Sequence, residues 1–104
     1  MELSYETKTL RALCLDPTTA EGKLGDPLAA ILRATLADLD AAVTLVELPS
    51  SGSLRYAGME LRVDLGRDHE LLCESGAGQG DPPDWSRVYR LKLIRVQEQD
   101  DRNG

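Results

Sequence analysis

Phenylalanine is absent from the chain, tryptophan occurs once and tyrosine three times. A core so poor in rings has to be filled by Leu, Val, Ile and Ala, through many small contacts rather than a few large flat ones. Histidine also occurs once and cysteine twice, at Cys14 and Cys73. One imidazole and two distant thiols make no recognised metal-ligand spacing, and two cysteines set inside apolar runs make no disulfide framework. They read as buried thiols in a reducing compartment. No apolar run is long enough to span a bilayer, and no basic segment leads into an apolar stretch near the N-terminus. The cytoplasm is therefore the expected location.

Positive charge is the next shortage. Twelve Lys and Arg stand against 18 Asp and Glu, a net charge of -6. Non-specific nucleic-acid binding begins with neutralised phosphates, so a free protein this acidic should not collect RNA or DNA indiscriminately. The deficit is uneven. Residues 1–48 hold eight acids and four bases, and residues 49–104 hold ten acids and eight bases, with Arg87, Arg90, Lys92 and Arg95 close together. An anion site is expected in the C-terminal half.

What is present suits one small domain over residues 1–99, with a frayed tail at 100–104: 104 residues, 41% of them hydrophobic. Residues 1–6 alternate loosely and predict a first strand. From Thr7 the spacing turns helical, with Leu10, Leu13 and Cys14 on one face. Asp16-Pro17 is an N-cap followed by a proline at the first helical position, so 7–24 reads as a helix re-started at Asp16. Gly25 suits the turn past its end. Asp26-Pro27 repeats the start signal, and Leu28, Ile31, Leu32, Thr35, Leu36 and Leu39 then form a stripe of helical period. The stretch 41–48 has no clean period. PSSGS at 49–53 reads as a turn and GAGQGDPPD at 76–84 as a flexible loop without the features of a phosphate cradle. Three strands are expected at 54–65 (broken near Ala57-Gly58), 69–74 and 87–97, with Gly66-Arg67-Asp68 as a hairpin turn. The expected fold class is α+β: an N-terminal strand and a two-helix hairpin packed on one face of a small twisted antiparallel sheet.

The chemistry the residues offer is thin. His69 beside Glu70 would supply general acid–base work, or it is a solvent-facing histidine at a hairpin end. Ser75 and Ser86 lie near it without an elbow motif. Asp64, Asp68 and His69 could in principle meet, but one His and two distant Cys make no recognised ligand spacing, and neither metal nor cofactor is expected. Arg62, Arg67, Arg87, Arg90, Lys92 and Arg95 would bind phosphate if they converged. Strict alternation along 87–97 sends Arg90 and Lys92 to one face and Arg95 to the other.

Four stretches carry a family resemblance in their order and spacing: ETKTLRALCLDPTTAEGKLGDPLAAIL, LADLDAAVTLVELP, LRVDLGRDHELLCE and DWSRVYRLKLIRVQE. Over residues 3–99 the chain resembles the killer-protein toxins of bacterial type II toxin–antitoxin (plasmid maintenance) modules, the host-inhibition-of-growth branch of the RelE/ParE superfamily. The resemblance implies a helix hairpin against a twisted sheet and a cognate helix-turn-helix antitoxin as partner, with DNA reached only through that antitoxin. It also implies an RNA-binding endoribonuclease acting on ribosome-bound mRNA without a metal. In that reaction the RNA 2′-OH attacks its own phosphate, a base takes its proton and a cation stabilises the crowded phosphate. Arg62 and Arg90 would hold the phosphate and His69 would be the acid or base.

The chain departs from the family where charge matters. A Pro-Tyr-Arg common in relatives is Asp68-His69-Glu70 here, Cys73 replaces a Phe, and Thr35 and Asp40 stand where helix arginines are frequent. The last strand runs Val96-Gln97-Glu98-Gln99-Asp100 in place of a terminal Asp-Tyr-His. These changes point to a killer-protein fold with reduced or altered nuclease activity. The competing reading is a non-catalytic interaction domain that binds an antitoxin-like partner.

Overall fold

A computed structural model describes residues 1–45, 48, 54–76, 80 and 83–99. The chain begins with strand β1 (Glu2–Tyr5), continues through helices α1 (Lys8–Leu15), α2 (Pro17–Leu24) and α3 (Asp26–Ala41), and ends in strands β2 (Leu54–Ala57), β3 (Glu60–Gly66), β4 (His69–Ser75) and β5 (Arg90–Glu98). The strands form one five-stranded sheet in the order β1-β5-β4-β3-β2. The α+β class is as the sequence predicts. The sheet is mixed rather than antiparallel, because β1 pairs with β5 in parallel while the other neighbours are antiparallel. Three helices and three strands intervene before β1 meets its partner, and so long a connection permits a parallel ladder that no hairpin could make.

The helices start where local hydrogen-bond chemistry places them. The Thr7 hydroxyl accepts from Leu10 N at 3.0 Å and caps α1. The Asp16 carboxylate accepts from Thr18 N at 3.0 Å and from the Thr19 hydroxyl at 2.9 Å, and Pro17 opens α2. The re-start at Asp16 is thus a full break, which makes three helices out of the expected two. At the next junction the structure differs by one residue. Gly25, at φ 82°, closes α2 and opens α3, and no side chain caps the latter. With no spacer between the two helices, Asp26 is pushed into the first turn of α3, where its charge faces the helix dipole. At the other end of α3 the Met1 ammonium donates to the Asp40 and Ala42 carbonyls at 2.9 and 2.5 Å.

The stripe on α3 is the inner layer. Leu28, Leu32, Leu36 and Leu39 are buried, and they join Leu61, Val63, Leu71, Cys73, Leu91 and Leu93 of the sheet in one core. Leu45, beyond the helix, is also fully buried. The expected strand at 54–65 is a hairpin: Ala57 pairs with Glu60 across Gly58-Met59, and Gly58 has the positive φ that the first loop position of a type II′ turn demands. The Gly66–Asp68 turn is also present. Gly66 pairs with His69, and both loop residues, Arg67 and Asp68, take positive φ. The last strand starts three residues later than its apolar pattern indicates, since Trp85–Arg87 forms a 3-10 turn capped by Asp84. The 49–53 turn and the 100–104 tail lie outside the described residues, as do 77–79, 81 and 82 of the expected 76–84 loop. Gly80 and Pro83 of that loop form a bridge.

Candidate functional site on the open face of the sheet

The helices cover one face of the sheet and leave the other to polar side chains. Cross-strand partners share a face, so the register assigns them directly. Arg55 lies opposite Arg62, Arg62 opposite Leu72 and Leu72 opposite Arg95. Asp64 lies opposite Glu70 and Glu70 opposite Gln97. All of these belong to the face away from the helices. Farther along it come Glu60 opposite Glu74, Glu74 opposite Lys92, and Glu2 opposite Arg90.

Arg95 belongs to this face because the β4–β5 register shifts between Leu72 and Cys73, which leaves Ile94 as the extra residue. A bulge of one residue reverses the alternation beyond it. The structure thereby corrects the strict-alternation expectation: Arg90, Lys92 and Arg95 all face the same way.

At the centre lies Glu70, with no solvent exposure. Arg55 Nη2 donates to its Oε1 at 2.5 Å, while Arg62 Nη1 and Gln97 Nε2 donate to its Oε2 at 3.2 and 2.6 Å. Arg95 Nε in turn donates to Gln97 Oε1 at 2.7 Å. A buried carboxylate needs this number of donors to offset its lost hydration. Four strands contribute to the knot, and it spans three of the arginines that would otherwise serve a phosphate. Arg62 also lies 3.6 Å from Glu60.

Arg90 and Lys92 on the same face are matched in the same manner. Arg90 Nε lies 3.2 Å from Glu2 Oε2, and its guanidinium stands 5.1 Å from the centre of the Tyr89 ring. Lys92 Nζ meets Glu6 Oε2 at 2.7 Å, and this hydrogen bond, reinforced by the charge of Glu6, raises the lysine's pKa. Asp84, whose carboxylate accepts from the Ser86 hydroxyl and amide, is held below its ordinary pKa by those bonds.

The three residues singled out for RNA chemistry occupy three places. Arg62 is in the central knot. Arg90 is on the same face but at the far end of β5. Its carbonyl accepts from Gly76 N, four residues along β4 from the position opposite Arg62, and that is about 13 Å of strand. His69 adjoins Glu70 in β4, so alternation sends it to the opposite side of the sheet. There it is half-buried, with Nδ1 2.8 Å from the Arg67 carbonyl. The geometry does not bring the histidine and the two arginines to one point.

Sequence reasoning missed Arg55 and Gln97. The first was legible once Gly58 was taken as a hairpin turn, because that turn pairs Arg55 with Arg62. The second depended on the Ile94 bulge, which leaves no local signature. The thiols are poor nucleophiles: burial raises Cys14 to about 11 and raises Cys73 as well. Among the described residues no group of His, Cys, Asp and Glu is placed to hold a metal, and no helix is long and apolar enough to cross a membrane. The chain matches no protein-family model, no curated protein and no solved structure.

Proposed function

We propose that the chain is a toxin-like component of a type II toxin–antitoxin module, related to ribosome-dependent mRNA endoribonucleases. In this reading it has lost RNA cleavage and acts in the cytoplasm by binding its cognate helix-turn-helix antitoxin. The ordered killer-protein stretches support the family, and the succession of strand, helices and antiparallel strands agrees with them. The loss of cleavage is carried by one observation, the wholly buried Glu70 carboxylate tied to Arg55, Arg62 and Gln97.

The physical argument concerns charge at contact distance. A scissile phosphate held by Arg62 would sit against the carboxylate that already occupies that guanidinium. Screening at physiological salt works over about 8 Å and does little for two anions in contact. Exchanging one for the other would expose or strand a buried charge, which is costly. Nor is the histidine available as a base beside Arg62, because His69 lies on the other side of the sheet. DNA is reached only through the antitoxin, and mRNA and the ribosome are not substrates of this chain.

The test is a translating extract with a reporter mRNA, read by primer extension with and without the purified chain. The expected result is intact mRNA at every codon and undiminished reporter synthesis. Ribosome-dependent cuts that vanish in Arg62→Ala, Arg90→Ala or His69→Ala would overturn the reading and restore these residues as a catalytic set.

A further inference from the structure

At the far side of the sheet from β2, strand β1 has, among the described residues, one ladder only, with β5. Glu2 N and Glu6 N donate to Tyr89 and Leu93 carbonyls of that neighbour. Backbone groups of successive residues point to opposite edges of a strand, so the amides and carbonyls of Leu3 and Tyr5 point outward. Two concavities open along this edge, of about 570 Å³ and 530 Å³, and both are lined by Leu3, Tyr5 and Leu15. Leu15, the last residue of α1, is 55% exposed, although it is among the most apolar side chains in the chain. A free strand edge beside an exposed leucine is a template for another strand.

The charges along this groove are polarised. Met1, Glu2 and Asp40 line one end, and Glu6, Lys8 and Arg11 line the other. The Met1 ammonium is engaged by the Asp40 and Ala42 carbonyls, Glu2 by Arg90 and Glu6 by Lys92, which leaves Asp40 at one end and Lys8 and Arg11 at the other. None of the three has an ion-pair partner among the described residues. A second copy of the chain, turned by a two-fold axis through Ser4, presents its own β1 antiparallel to the first. Leu3 of each copy then exchanges hydrogen bonds with Tyr5 of the other. The same rotation brings Asp40 of each copy to the Lys8 and Arg11 end of its partner. Such self-complementarity is what a two-fold interface requires.

We propose that the chain forms a symmetric homodimer through β1, with the two sheets joined into one. Leu15 and the Leu3 and Tyr5 side chains form the apolar centre, and Asp40 against Lys8 and Arg11 forms the charged rim. This contact is independent of whether RNA is cut or an antitoxin is bound.

Sedimentation velocity over a range from ~5 to ~200 µM should show a concentration-dependent dimer, of weak affinity because a single short edge buries little surface. The Leu3 and Tyr5 amides should gain hydrogen-exchange protection as concentration rises. Asp40→Lys alone and Lys8→Glu with Arg11→Glu should each be monomeric, because each sets like charges face to face at both ends of the interface. Mixed in equal amounts, these two variants should dimerise again, because position 40 of each then meets opposite charge at positions 8 and 11 of the other. All of these positions are exposed, and circular dichroism of each variant verifies its fold. Leu15→Glu gives a second route to the monomer. A wild-type chain that stays monomeric throughout, a dimer indifferent to these variants, a mixture that fails to recover, or a dimer without Leu3 and Tyr5 protection would each overturn the proposal.

Discussion

The two faces of the sheet use the same strands for opposite purposes. On the helix side, Leu61, Leu71, Cys73 and Leu93 have no exposure and meet the α3 stripe. On the open side, burial is reached without a covering layer: Glu70 is equally inaccessible, and Leu72 is only 5% exposed between Arg62 and Arg95. One face excludes water with hydrocarbon against hydrocarbon. The other does it with long cationic stems whose heads are tied to a carboxylate. A low exposure value therefore means different things on the two sides, close packing on one and a polar knot on the other.

Substitution at matched positions tests that contrast. Leu93→Ala should cost about 2–5 kcal/mol, because the surrounding core cannot close over the lost volume. Leu72→Ala should cost about half of that, since arginine stems and water can fill the space. Equal losses in urea unfolding would show that the open face is packed as rigidly as the covered one.

Glu70→Ala should cost about 2 kcal/mol, less than an enclosed ion pair, because side chains at 57% and 38% exposure let Arg55 and Arg62 re-hydrate. A double-mutant cycle with Arg55→Ala reads the knot directly. Simple additivity there would mean that the two groups are neighbours without being coupled.

Cys14 gives a pH dependence of about 1 kcal/mol, discounted for its partial exposure. Its pKa is raised from 9.0 to about 11 in the fold by burial. Between those values the unfolded chain has released a proton that the folded chain keeps, so stability falls as pH rises. The buried Cys73 acts in the same direction. Denaturation of wild type and Cys14→Ala at pH 8 and pH 10 checks the sign, with a shallower decline expected in the variant.

The smallest effect belongs to the hairpin turn, which serves both faces equally. Asp68→Gly should stabilise by about 0.5 kcal/mol, because Asp68 adopts φ 62° and glycine takes that conformation without a side-chain penalty. A destabilised variant in the same urea assay would show that the Asp68 side chain contributes more than its backbone strain.

Much of the covered face was legible from residue order. The α3 stripe, the Asp16 break and the Leu61, Val63, Leu65 alternation each follow from a local period or cap. The first strand was legible as a strand, whereas its parallel pairing with β5 was not, because the partner lies almost ninety residues away. The candidate site was legible only as a supply of arginines, one histidine and one awkward glutamate. The family resemblance gives His69 a role beside Arg62, and alternation along β4 separates them. Glu70 reads as an obstacle on a surface, and the fold makes it a buried hub.

The sequence by itself determined which segments could bury an apolar stripe and where helices had to begin, since those outcomes rest on contacts a few residues long. Tertiary structure decided which charges meet. Arg55, Arg62, Glu70 and Gln97 come from four strands, and one bulged residue at Ile94 sets the side on which the last strand delivers its groups. Electrostatic contact depends on distances of a few ångströms, and those distances exist only once the strands are in register.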